Sequence, residues 1–281
     1  MSRNNEDRLG VKHPDTPSPL ATDSSGFSFT APTEFVELPS KGKFYPENHP
    51  LHNKDVIEIK FMTAKEEDIL TSVSLLKKGL AIERFIQSII VDKSIDVNSL
   101  LVGDKNAITV AGRITGYCEE YETKIPCPAC QSTVEYGFNL EDKVVNEGGI
   151  DAAPDLGIEL EGNEFVIPLP KTKLHVGVKF LDGNDEKALA QLAEKKKKHK
   201  LPETNLTDQL KAIITSVSGE RDGAAIAQFV ENMPALDSRF LRGIYAKITP
   251  NIDLTQEFSC SKCGHTDDLE VPFTADFFWS K

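Results

Sequence analysis

IPCPACQS at residues 125–132 and FSCSKCGH at residues 258–265 each present a Cys-x-x-Cys unit, Cys127 with Cys130 and Cys260 with Cys263. Each unit follows a strand-like run and holds a turn-favouring residue, Pro128 in the first and Gly264 just after the second. That spacing lets a tight turn aim both thiolates at one ion while backbone N–H groups donate to sulfur, and two such turns complete a tetrahedron. Residues 131–259 separate the pairs, far more chain than a compact zinc ribbon uses. Lengthening the closing loop from about 20 to about 130 residues adds only about 1.7 kcal/mol of chain entropy. Structural zinc contributes about 10–16 kcal/mol in small peptides at neutral pH. The expectation is therefore structural Zn2+ on Cys127, Cys130, Cys260 and Cys263, with the intervening segment inserted in a split ribbon. An iron–sulfur cluster, a redox pair and unrelated thiols are the alternatives, and neither unit opens a helix after a buried strand, where a redox thiolate is favoured. A closed four-cysteine site has no open coordination position, which disfavours a catalytic metal. Cys118 is left over and is expected as a half-buried neutral thiol, and His265 as an imidazole beside the site rather than a ligand.

Working outward, Tyr117–Pro126 and STVEYGF bracket the first turn as short strands, and EFSCSKCGHTDDLEV repeats the strand–CxxC–strand pattern at the other end. Before the first turn, KDVIEIKFM reads as a strand, and Thr63 with Glu66 forms the T-x-x-E box that opens a helix running to Gly79. Ile82 to Ile90 carries a second helix, and a third is expected to start with Asp104 as its N-cap and to end at Gly116. The acidic, Gly/Pro-broken residues 139–163 read as a loop, followed by a hairpin of EFVIPLP and KLHVGVKF. Helices are then expected over EKALAQLAEKKKKHK, Leu206–Val217, Ala224–Val230 and Asp237–Lys247. The fold class is α+β, α-helical domains joined to a split four-cysteine zinc ribbon. The division is 1–33 as a disordered arm, 34–116 as a strand and helix domain and 117–138 as the first ribbon half. Residues 139–253 form an inserted, mainly helical domain, and 254–281 the second ribbon half with an aromatic end.

The chain of 281 residues carries 44 acidic and 32 basic side chains, a net charge of −12, with 39% apolar residues. That apolar fraction excludes global disorder, and the acidic balance argues against a protein that coats nucleic acid phosphates. No stretch of about 18 apolar residues is present, so no membrane span is expected. The first residues, MSRNNEDRLGVKHPD, lack the apolar core of a secretory signal, so folding in a reducing cytoplasm is expected, with the cysteines as thiols or metal ligands.

Lys195–Lys198, with His199 and Lys200, is the one basic run, and it is most economically read as a solvated helix end that offsets the helix dipole. Phe273, Phe277, Phe278 and Trp279 cluster at the C-terminus, either packed on the ribbon or, for Phe277, Phe278 and Trp279, as an anchor for a partner. No catalytic Ser/His/Asp set, H-E-x-x-H, P-loop or G-x-G-x-x-G occurs, so an enzyme is not expected.

LPSKGKFYP (38–46), IKFMTAKEEDIL (59–70), GDKNAI (103–108), CPAC, DSRFLRGIYAKITPNID (237–253), CSKCG and VPFTADFFW together resemble the baseplate hub protein family of T-even-like contractile-tailed bacteriophages, from about Glu34 to Trp279. The resemblance implies a non-enzymatic virion component, assembled in the host cytoplasm, whose partners are other baseplate and tail-hub proteins. Homo-oligomerisation is left open. The competing reading is a nucleic-acid-binding, transcription-type zinc ribbon, which the acidic composition disfavours.

Overall fold

A computed structural model of the chain describes residues 30–149, 157–161, 164–272 and 275–278. The first element is a hairpin of β1 (Thr33–Glu37) and β2 (Val56–Lys60), in register from Thr33 opposite Lys60 to Glu37 opposite Val56. The expected capping box follows, with Glu66 accepting from the Thr63 N–H at 3.1 Å, and it opens α1 (Ala64–Thr71). The single helix expected up to Gly79 is instead broken at Ser72, whose ψ of 106° leaves the helical region, so α2 (Val73–Lys77) is a separate turn with Gly79 beyond its end at φ +67°. In α3 (Ala81–Ile89), Ala81, Phe85, Ile86 and Ile89 line one buried face. Each large apolar side chain buried there contributes about 1.5–3 kcal/mol.

α4 (Val102–Tyr117) starts three residues earlier than expected. Its N-cap is Leu101, which has no capping side chain, and its N–H donates to the Tyr45 hydroxyl at 3.0 Å. Asp104 sits one turn inside, fully buried, accepting from the Ser40 N–H at 2.9 Å, the Ser40 hydroxyl and the Tyr45 hydroxyl at 2.8 Å. The carboxylate thus ties the LPSKGKFYP loop to the helix start rather than capping it. The helix ends at Cys118, which has φ +67° and is exposed, not half-buried.

The strands flanking the cysteine turns are β3 (Glu120–Pro126) with β4 (Thr133–Asn139), and β11 (Thr255–Ser259) with β12 (Thr266–Glu270), two antiparallel hairpins. Between them, the expected loop 139–163 contains two short strands, β5 (Val144–Asn146) and β6 (Glu159–Glu161). A four-stranded sheet runs β6, β7 (Glu164–Pro168), β8 (His175–Val178) and β9 (Ile214–Val217). Around it lie α5 (Gly183–Lys198), α6 (Asn205–Ile213), α7 (Gly223–Asn232) and α8 (Ala235–Ile248), and β10 (Asn251–Asp253) pairs back with β5. The helix expected over Leu206–Val217 therefore stops at Ile213, and its last residues are the sheet strand β9.

Buried residues fall into two clusters. One joins the N-terminal elements to both cysteine-bearing hairpins and to Val271, Phe277 and Phe278. The other holds Phe165, Val176, Leu210, Ile226 and Leu241 within the segment between the hairpins. Phe44 and Phe180 pack against both. No helix among the described residues is long and apolar enough to cross a membrane.

Candidate metal centre

The two hairpins carry their cysteines on turns built alike. The Cys127 N–H donates to the Ser132 carbonyl at 3.0 Å and the Gln131 N–H to the Cys127 carbonyl at 2.9 Å. The second turn repeats this, with the Cys260 N–H on the His265 carbonyl at 2.8 Å and the Gly264 N–H on the Cys260 carbonyl at 2.9 Å. In each, the residue after the second cysteine is left-handed, Gln131 at φ +58° and Gly264 at φ +71°. Gly264 was legible as the residue suited to that conformation, whereas Gln131 is not one that sequence reasoning assigns to it.

The turns meet. Sγ of Cys127 lies 3.8 Å from Sγ of Cys263, Sγ of Cys130 lies 3.9 Å from Sγ of Cys260, and all four sulfurs are within 4.8 Å of one another. A tetrahedron with metal–sulfur bonds of about 2.3 Å has edges of about 3.8 Å. The donor set therefore fits one thiolate-bound ion, with Cys127 and Cys260 buried and Cys130 and Cys263 exposed. Backbone and hydroxyl donation from Ser132 brings the Cys130 thiol down to about 6, and backbone N–H groups of Lys262 and Cys263 lower Cys260. Cys263 goes up to about 12, because the His265 N–H that favours its thiolate is outweighed by neighbouring sulfurs and desolvation. Four thiols this close cannot all ionise without a cation among them. His265 lends the site its backbone, and its ring faces Asp267 at 3.7 Å.

Contacts that sequence reasoning missed hold the hairpins together beside the sulfurs. The Gln256 amide exchanges hydrogen bonds with the Asn139 backbone, at 2.5 Å and 3.1 Å. The Tyr136 hydroxyl donates to the Glu257 carbonyl at 2.7 Å, and its ring meets Phe258 edge-on at 5.1 Å. The alternation in STVEYGF was the only available signal, since it puts Tyr136 and Phe138 on strand positions without naming their partners.

Of the aromatic residues expected as a partner anchor, Phe277 and Phe278 are buried in the chain's own core. Phe277 meets Tyr121 at 5.2 Å and Phe278 meets Phe85 at 4.9 Å. Arg113, itself buried, donates from Nε to the Phe277 carbonyl at 2.9 Å and so fastens the terminal turn. Phe273 and Trp279 lie outside the described residues. The lysine run ends α5 as expected, with Lys198 paired to Glu194 at 2.8 Å and Lys196 to Asp208 at 2.5 Å. The two hairpins expose Glu120, Glu122, Glu135, Glu257, Asp267, Asp268 and Glu270 against Lys124 and Lys262, a predominantly acidic surface that repels nucleic acid phosphates.

No curated protein and no solved structure matches the chain. A sequence-family model described as T4 bacteriophage base plate protein matches residues 31–279. The match takes in both cysteine turns and everything between them, and this chain belongs to the T4 bacteriophage base plate protein family, structural components of the virion tail.

Proposed function

We propose that the chain is a non-enzymatic structural and assembly component of the tail hub that binds other baseplate and tail-hub proteins and is assembled in the host cytoplasm. Zn2+ on Cys127, Cys130, Cys260 and Cys263 staples its fold. The observation that carries the zinc reading is the convergence of four sulfurs from the two ends of a long inserted segment to within 4.8 Å. A multi-iron cluster interposes its own iron and sulfide between ligand thiolates, so sulfurs this close favour a single ion. When bound, zinc supplies four thiolate bonds and no open position for a substrate. The residues around it position rather than react: Ser132 and His265 orient the turns through their backbone, and Tyr136 and Gln256 hold the hairpins in register.

Metal analysis of the purified chain, together with co-purification of tail proteins, tests this reading. One zinc per chain and retention of tail partners are expected. A metal-free, fully folded chain that retains no tail partner would overturn it.

A further inference from the structure

A groove of about 790 Å³ lies among the residues leading into β1, the α1–α2 segment, α3 and the chain just after it. Apolar Ile69 and Leu75 line it together with four cations, Lys60, Lys65, Arg84 and Lys93. No carboxylate lines the groove among the described residues, and Glu66, next to Lys65 in sequence, is fully buried and already engaged by Lys60 at 2.8 Å and by Thr63 and Ser88. Lys93 donates to the Gln87 and Ser88 carbonyls at 3.0 and 3.2 Å. Burial, then the neighbouring Lys60 and Lys65, pulls its ammonium below the usual lysine range. Lys65 and Arg84 are exposed and enter no ion pair among the described residues. Like charges gathered around an apolar cleft on a chain of net charge −12 repel one another until an anion joins them.

We propose that this groove docks an acidic, amphipathic segment of another baseplate protein, with carboxylates on Lys65 and Arg84 and apolar side chains on Ile69 and Leu75. The proposal rests on the baseplate reading above. A small hydrated anion would leave Ile69 and Leu75 uncovered, and no aromatic side chain lines the groove to stack a nucleobase. Residues 1–29 are nearly neutral, with Glu6, Asp7, Asp15 and Asp23 against Arg3, Arg8 and Lys12, so they offer little net negative charge.

The test places a photo-cross-linking benzoylphenylalanine at Thr33, an exposed groove position, in the chain carried by intact phage. Irradiated, purified tails should give an adduct to an Asp/Glu-rich, apolar segment of another tail protein. Adding Lys65→Glu with Arg84→Glu should cut adduct yield and plaque titre at least tenfold, while the purified chain melts as before. If that pair unfolds the chain, Lys65→Gln with Arg84→Gln should still lower the yield several-fold. An adduct to residues 1–29, to nucleic acid or to nothing overturns the proposal, as does a yield untouched by reversing both charges. Absence of the chain from purified tails would instead overturn the baseplate reading.

Discussion

Gln131 holds a left-handed backbone that Gly264 holds without penalty in the matching turn. An L side chain there costs about 1–2 kcal/mol. Gln131→Gly should therefore stabilise the chain by about 1 kcal/mol, read as a raised urea midpoint with unchanged slope. Glu66 makes a pH prediction. Burial would raise its carboxyl, but hydrogen bonds from Lys60, Ser88 and Thr63 prevail and hold it at about 2 against an ordinary 4.5. Because the folded state favours the ionised form, the stabilisation is complete above about pH 4.5 and drains away as pH falls toward 2, by up to about 3 kcal/mol. Glu66→Gln should flatten the stability profile across that window in denaturant titrations. At this scale the sequence was readable where a residue acts on its neighbours, as Thr63 and Glu66 do. It misled where a residue acts across the fold. Asp104 has an N-cap's chemistry, yet its partners are Ser40 and Tyr45, about sixty residues away.

Among the elements, the paired hairpins make the sharpest prediction. Cys263→Ser removes one corner of the four-sulfur cluster and should lower stability by several kcal/mol and abolish metal retention, whereas Cys118→Ser, at an exposed helix end, should stay within about 0.5 kcal/mol. Thermal melts of the two variants with metal analysis make the comparison, and equal melting would argue against the staple. The hairpins were legible because CxxC spacing and alternation are local patterns. The ends of α6 were not, since Ile213, Ile214 and Val217 satisfy a helix period and a strand equally, and pairing with β8 decides for the strand. β5 and β6 went unread for a related reason. Strands of three residues show no period, and their partners β10 and β7 supply the order.

Across the whole molecule, Phe44 is the wedge between the two buried clusters. Its ring meets Phe180 edge-on at 4.9 Å and Phe165 at 5.7 Å, and it also packs against the N-terminal core. Phe44 is only partly buried, so Phe44→Ala should cost about 2–3 kcal/mol, below the range of a fully buried ring, and loosen the coupling between the cores. Denaturation followed at several probes should then separate into two transitions, against a single one expected of the parent chain.

The distance in sequence between the two cysteine pairs also sets a clock. At about 5–20 residues per second, translation delivers the second pair roughly 7–26 s after the first. During that interval Cys127 and Cys130 must stay reduced while the other two sulfurs of the four that converge in the fold are still unmade. A chain that stops short of Cys260 never brings the four sulfurs together, so whatever stability their convergence gives the fold arrives only with the last hairpin.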